Sequence, residues 1–205
     1  MNGNIDFYIP DCEEFRRGYE IYNKREKRGL IYFESLRIVT EGWGNPEKMA
    51  KGVQRLIRAW NRFYANFNFN DLINCINQNM ERLNTFRKKE IFELTEKDDE
   101  IIKSLFNEFL FALRREKDKA KSPVSVAKAL GLLAPGFLPI WDSNIAFAYH
   151  CFYFSDTADS SYIKFCYKMK SLAENIKHCV PNSDDRTLLK RIDEYNYSKY
   201  TMNWI

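Results

Sequence analysis

Apolar residues along this chain recur at intervals of three and four, and no stretch alternates singly. That is the period of helices, not of strands. The clearest case runs from Pro46 to about Phe67. Met49, Val53, Leu56, Ile57, Trp60, Phe63, Tyr64 and Phe67 share one face, and Lys48, Lys51, Arg55, Arg58 and Arg62 occupy the other. The basic face reads most simply as the solvent side. Before it, Asp11 caps a helix that extends to about Lys27 with Phe15, Tyr19 and Tyr22 inward, and a second helix covers Leu30 to Gly42. After it, Asn70 caps a helix that buries Leu72, Ile73, Ile76, Met80 and Leu83. Thr95, with Asp98 and Asp99 behind it, opens another that extends to about Glu116. Acids in a first turn suit the helix dipole. A helix from Ala158 to about His178 and a last one from Asp184 to about Tyr200, separated by a break at 181–184, complete the pattern. Roughly nine or ten helices with short connections predict an all-α fold.

The most apolar run is Ser122 to Leu133. Ser122 reads as an N-cap and Pro123 as the first helical residue. Between Val124 and Leu133 the polar residues are Ser125 and Lys128, on one side of the helix. A helix apolar on its other faces belongs at the centre of the molecule. Pro135 and Gly136 end it, Pro139 keeps the connection extended, and Asp142 stands where a second cap belongs, before Ser143 to Tyr149.

A central helix, a proline-bearing loop and a capping Asp resemble the helix-hairpin-helix DNA glycosylase superfamily. There the catalytic Asp follows a Pro-Val-Asp-like tripeptide, which in this chain is the one-residue-longer Pro139-Ile140-Trp141-Asp142. The run from Leu132 to Asp142 is also similar to uncharacterised bacterial all-α proteins that share a Leu-Leu-x-Pro-x-x-x-Pro-x-Trp-Asp pattern. The resemblance implies a multi-helix globular domain of the glycosylase type over residues 1–205. It also implies a catalytic role for Asp142, whose carboxylate would stabilise positive charge on a sugar or orient water. The bland reading of Asp142 is a helix cap.

The chain departs from that family in two places. Bifunctional members attack the sugar with a lysine about eighteen residues before the Asp. Here Pro123, Val124 and Ser125 fill that register, with Lys121 and Lys128 to either side. Lys128 reads as a pairing or snorkelling cation before it reads as a nucleophile. Family members also grip a DNA phosphate with a glycine-rich hairpin. The matching Lys119-Ala120-Lys121-Ser122-Pro123 has no glycine. Lys119, Lys121 and the helix start at Ser122 remain as phosphate contacts, against the alternative of a solvated charged linker over 114–121.

Composition narrows the class. Net charge is +4 with a pI near 8.7, which permits nucleic-acid contact without requiring it. No run is long enough to predict a transmembrane helix, and Met1 to Asp6 lacks the parts of a signal peptide, so a cytoplasmic protein is expected. The five cysteines, Cys12, Cys75, Cys151, Cys166 and Cys179, are widely spaced. They are expected to be reduced and packed as small apolar residues. Their spacing offers no metal or iron–sulfur motif, so neither metal nor cofactor is expected. His150 and His178 read as structural. Trp60, Phe63, Tyr64, Trp141 and Tyr149 read as core before base-stacking platforms.

The leading expectation is therefore a nucleic-acid-binding protein, with DNA the expected partner, on a glycosylase-like scaffold without catalysis. Lys119, Lys121, Ser122 and Lys128 would be its contacts. The alternatives are a non-catalytic protein-interaction scaffold and a monofunctional DNA glycosylase using Asp142. Oligomeric state is left open.

Overall fold

The structure is a computed structural model that describes residues 6–154, 156–180 and 186–205. Among the described residues it is helical throughout, with one isolated bridge pairing Phe67 with Arg115. The helices are α1 (Cys12–Arg25), α2 (Gly29–Glu41), α3 (Pro46–Trp60), α4 (Phe69–Gln78), α5 (Met80–Arg87), α6 (Glu96–Ala112), α7 (Pro123–Leu133), α8 (Ser143–Ala148), α9 (Ala158–Ile176) and α10 (Leu188–Asn196). A π turn, Tyr197–Thr201, continues α10. No helix of the described residues is long and apolar enough to cross a membrane.

Caps set most of the starts. Asp11 Oδ1 accepts from Glu14 N at 2.8 Å, and Asn45 Oδ1 from Lys48 N at 3.0 Å. Thr95 N donates to Asp98 Oδ2 at 3.0 Å, and Ser122 Oγ accepts from Ser125 N at 3.2 Å. Each bond satisfies a donor that the helix itself cannot pair.

α7 is the centre, as its sequence requires. Every residue from Ser125 to Leu133 is buried, and the helix packs on α2, α3 and α6. Around it α2 lies against α3, α6 against α9, and α1 against α10. Two glycines permit close approaches. A Cβ at Gly52 would stand 2.6 Å from Val39 Cγ2 on α2. One at Gly131 would stand 2.4 Å from Ile140 Cγ1. The second approach draws the 134–142 loop against α7 and places Trp141 and Asp142 beside its N-terminal half.

Several elements differ from the sequence pattern. α3 stops at Trp60, short of Phe67, because Asn61 leaves the helix. Its Nδ2 donates to Ser122 Oγ at 2.9 Å and to Ser125 Oγ at 2.8 Å. This tertiary tie overrides the local period. Phe63, expected in the core, is 67% exposed, and Trp60 is half-buried. The helix expected from Asn70 begins after Asn68, whose Oδ1 accepts from Asn70 N and Asp71 N. It breaks at Asn79, a buried residue whose Nδ2 bonds Glu108 and the Cys75 carbonyl. α6 ends at Ala112, and α8 at Ala148, before His150 with φ 53°. Leu30 is exposed. The break expected at 181–184, with Asp184 as the start of the last helix, lies outside the described residues.

The expectation of five reduced thiols is corrected. Cys12 and Cys179 form a disulfide across a separation of 167 residues, fastening the start of α1 to the turn after α9. Cys75, Cys151 and Cys166 are free and buried.

Candidate functional site

A cavity of about 640 Å³ opens where the N-terminal end of α7 meets the C-terminal ends of α1 and α3. The 140–145 segment, Tyr153, Phe154, α10 and the π turn complete its wall. The size suits a small ligand. Lys121, Ser122, Lys128 and Asp142, four residues selected from sequence, all line it. Lys119 does not; it sits exposed in the 114–121 turn beside the mouth.

That turn carries the chain from α6 to α7. Arg115 N donates to the Ala120 carbonyl at 2.8 Å, and Lys119 N to the Arg115 carbonyl at 2.9 Å. Lys119 has φ 58°, the left-handed region that usually favours glycine. A glycine-free sequence thus still makes a tight turn. The Arg115 guanidinium pairs with Asp118 and lies over the Phe63 ring, 4.1 Å from its centroid. The turn is thus ordered at Arg115, while residues 116–119 and Lys121 are exposed. The side chains of Lys119 and Lys121 make no ion pair among the described residues.

Asp142 caps α8, its Oδ1 accepting from Ile145 N at 2.9 Å. Its Oδ2 accepts from Thr201 Oγ1 at 2.7 Å. Both oxygens are therefore engaged in hydrogen bonds that hold the carboxylate in place.

Lys128 is 8% exposed, and its Nζ donates to the Trp60 carbonyl at 2.8 Å. It is not a surface cation, and among the described residues it is not a member of an ion pair. Burial pulls the ammonium down to about 8, while Asp142 and Asp193 act in the opposite direction. An amine titrating there is partly neutral near physiological pH.

Two aromatic pairs border the cavity. Trp60 stacks with Tyr32, ring centroids 5.9 Å apart, and Trp141 stacks with Tyr153 at 4.8 Å. Trp141 is a core residue, as expected, whereas Trp60 and Tyr64 serve the wall. Phe154, 78% exposed, stands at the edge. His150 and His178 are exposed and do not line the cavity.

The sequence reading missed the acidic part of the site. Glu26 pairs with Arg28 at 2.8 Å and accepts from Tyr197, and Arg28 holds its carboxyl down at about 2. Asp193 belongs to a buried charge cluster on α10. Lys190 Nζ bonds Asp193 Oδ2 at 2.5 Å and lies 4.8, 4.7 and 5.0 Å from the ring centroids of Tyr22, Tyr32 and Trp60. Glu194 behind them pairs with Arg186 at 3.0 Å. Burial lowers Lys190, but Asp193 and its other anionic neighbours outweigh it, so the ammonium stays charged. The available signal was Lys190, Asp193 and Glu194 at helical spacing between Leu189, Ile192 and Tyr195. Such a charged face reads as solvated until the fold covers it.

Fold and site together define an all-helical protein with an aromatic-walled cavity of mixed charge at a convergence of helix ends. Comparison with protein-family models, curated proteins and solved structures finds no significant match to the chain.

Proposed function

We propose that this chain binds DNA on a glycosylase-like helical scaffold and takes one unstacked nucleotide into the cavity without excising its base. The carrying observation is the cavity itself: about 640 Å³, bordered by stacked aromatics, with the cationic 114–121 turn at its mouth. A base outside the stack needs apolar and aromatic surfaces around it and a cationic hold on its phosphates. Lys121 and Lys119 supply the cations. Phe63 and Phe154 supply exposed aromatic surface beside them, and half-buried Tyr64 adds to the wall. The succession of α6, tight turn and α7, with Asp142 following, supports the resemblance to helix-hairpin-helix glycosylases.

The test is the salt dependence of DNA affinity. Two lost phosphate contacts should make the slope of log K against log salt shallower by about 2. That is the result expected for Lys119→Ala/Lys121→Ala against the parent. Equal slopes would show that Lys119 and Lys121 are merely solvated, and no DNA binding by the parent would leave the scaffold reading, a protein-interaction module, in its place.

A second reading, monofunctional base excision, is favoured by one observation: Asp142 lies on the cavity wall with its charge fixed by two donors. An anion so held can stabilise an oxocarbenium-like sugar without itself taking a proton. Release of uracil, an alkylated purine or 8-oxoguanine by the parent, lost in Asp142→Asn, would establish excision in place of binding alone.

A further inference from the structure

We propose that Asp193 makes the cavity selective for an amino-bearing base, cytosine or adenine, over its oxo counterpart, uracil or hypoxanthine. The inference rests on the reading that a nucleotide enters the cavity. Asp193 lines that cavity and is 6% exposed. Its Oδ2 is taken by Lys190, and its Oδ1 makes no hydrogen bond among the described residues. The cavity's other carboxylates are already engaged, Asp142 by Ile145 and Thr201, and Glu26 by Arg28 and Tyr197. Among the described residues Asp193 therefore offers the cavity an acceptor oxygen without a protein donor.

The carboxylate is also fixed in place. Lys190 holds it, and three aromatic rings hold Lys190. A fixed acceptor that a bound ligand closes off from water discriminates, because a ligand that places no donor against it leaves it unpaired. The exocyclic amines of cytosine and adenine are donors, and carboxylate acceptance from such an amine is an established mode of base reading. Uracil and hypoxanthine put a carbonyl oxygen at the same ring position. With that group seated on Oδ1 two acceptors would face each other, and the neighbouring ring N–H of uracil or hypoxanthine would reach the carboxylate only if the base shifted in the cavity.

The experiment uses duplexes with one target nucleotide opposite an abasic analogue, the target carrying a 2′-fluoro sugar to resist excision. Within each ring size, affinity for cytosine is compared with uracil, and adenine with hypoxanthine. The parent should favour the amino base by about tenfold or more. Removing Asp193 alone would leave the buried Lys190 with the longer, 3.8 Å pair to Glu194, so the control is the neutral pair Lys190→Met/Asp193→Leu, its folding checked by circular dichroism. In that variant both ratios should fall close to one. Tight DNA binding by the parent with equal affinities within each pair would overturn the role of Asp193 and leave the DNA reading standing. Ratios that persist in a folded double variant would do the same. Failure of every duplex to bind would remove both.

Discussion

Replacing Lys128 with Met tests whether the cavity wall is as dry as its geometry implies. The folded-state ammonium titrates at about 8 against an ordinary 10.5, chiefly through burial. Below pH 8 the protein carries a buried charge that the unfolded chain would hold in water, at a cost of about 3 kcal/mol. Between pH 8 and 10.5 the unfolded chain binds the extra proton, so stability attributable to this group rises with pH. Methionine has no such dependence. Between about pH 7 and about pH 9.5 the parent should therefore gain about 2 kcal/mol relative to Lys128→Met. Loss of the bond to the Trp60 carbonyl contributes a constant, and titrations shared by both chains cancel in the difference. The assay is urea unfolding of both proteins at the two pH values. A stability difference that does not change with pH would mean that the ammonium is hydrated and that the wall is wet.

Asp142→Asn should change stability by less than about 1 kcal/mol, since an amide oxygen also caps, whereas Asp142→Ala should lose about 1 kcal/mol or more because Thr201 is stranded as well; thermal melts of both variants check this. Leu130→Ala removes packed methyl groups from a fully buried site on α7 and should cost about 2–5 kcal/mol in urea unfolding, a loss under about 1 kcal/mol marking a helix that is not central. Cys12→Ser should lower stability by about 2–5 kcal/mol, because the cross-link closes a very long loop; a parent melting curve unmoved by reductant would show that the bond is not formed.

What the sequence disclosed was local. Ser122, Pro123 and Asp142 act within one turn of the helix they start, so their roles could be read without a fold. The break at Asn61 could not be read, because its cause is a pair of hydroxyls on α7, sixty-odd residues away in sequence. The pairing of Cys12 with Cys179 depends in the same way on packing that brings the two chain ends together. Asp193 was invisible for a different reason. A charged face on a terminal helix is ordinary on a surface, and here three aromatic residues from α1, α2 and α3 close over it.

The polar stripe on α7 held more than it first disclosed. Ser125 and Lys128 interrupt an otherwise apolar helix, and the stripe ends there: Leu132, one turn on, is fully buried. Ser125 bonds Asn61, and Lys128 bonds the Trp60 carbonyl at the cavity wall. A central helix can carry polar groups only where something polar meets them. The length of the stripe therefore marks how far along α7 the polar surroundings of the cavity reach. On α10 the matching mark is Lys190 and Asp193, which sit in the core without opposing charges from solvent. Two helices far apart in sequence each carry a buried charged residue, Lys128 and Asp193, that lines the same cavity. Burying a lone ammonium at Lys128 and a half-paired carboxylate at Asp193 costs stability that apolar residues would not. Both are accounted for if a ligand completes the polar contacts that the protein leaves open, and that is the physical case for a binding site at this cavity.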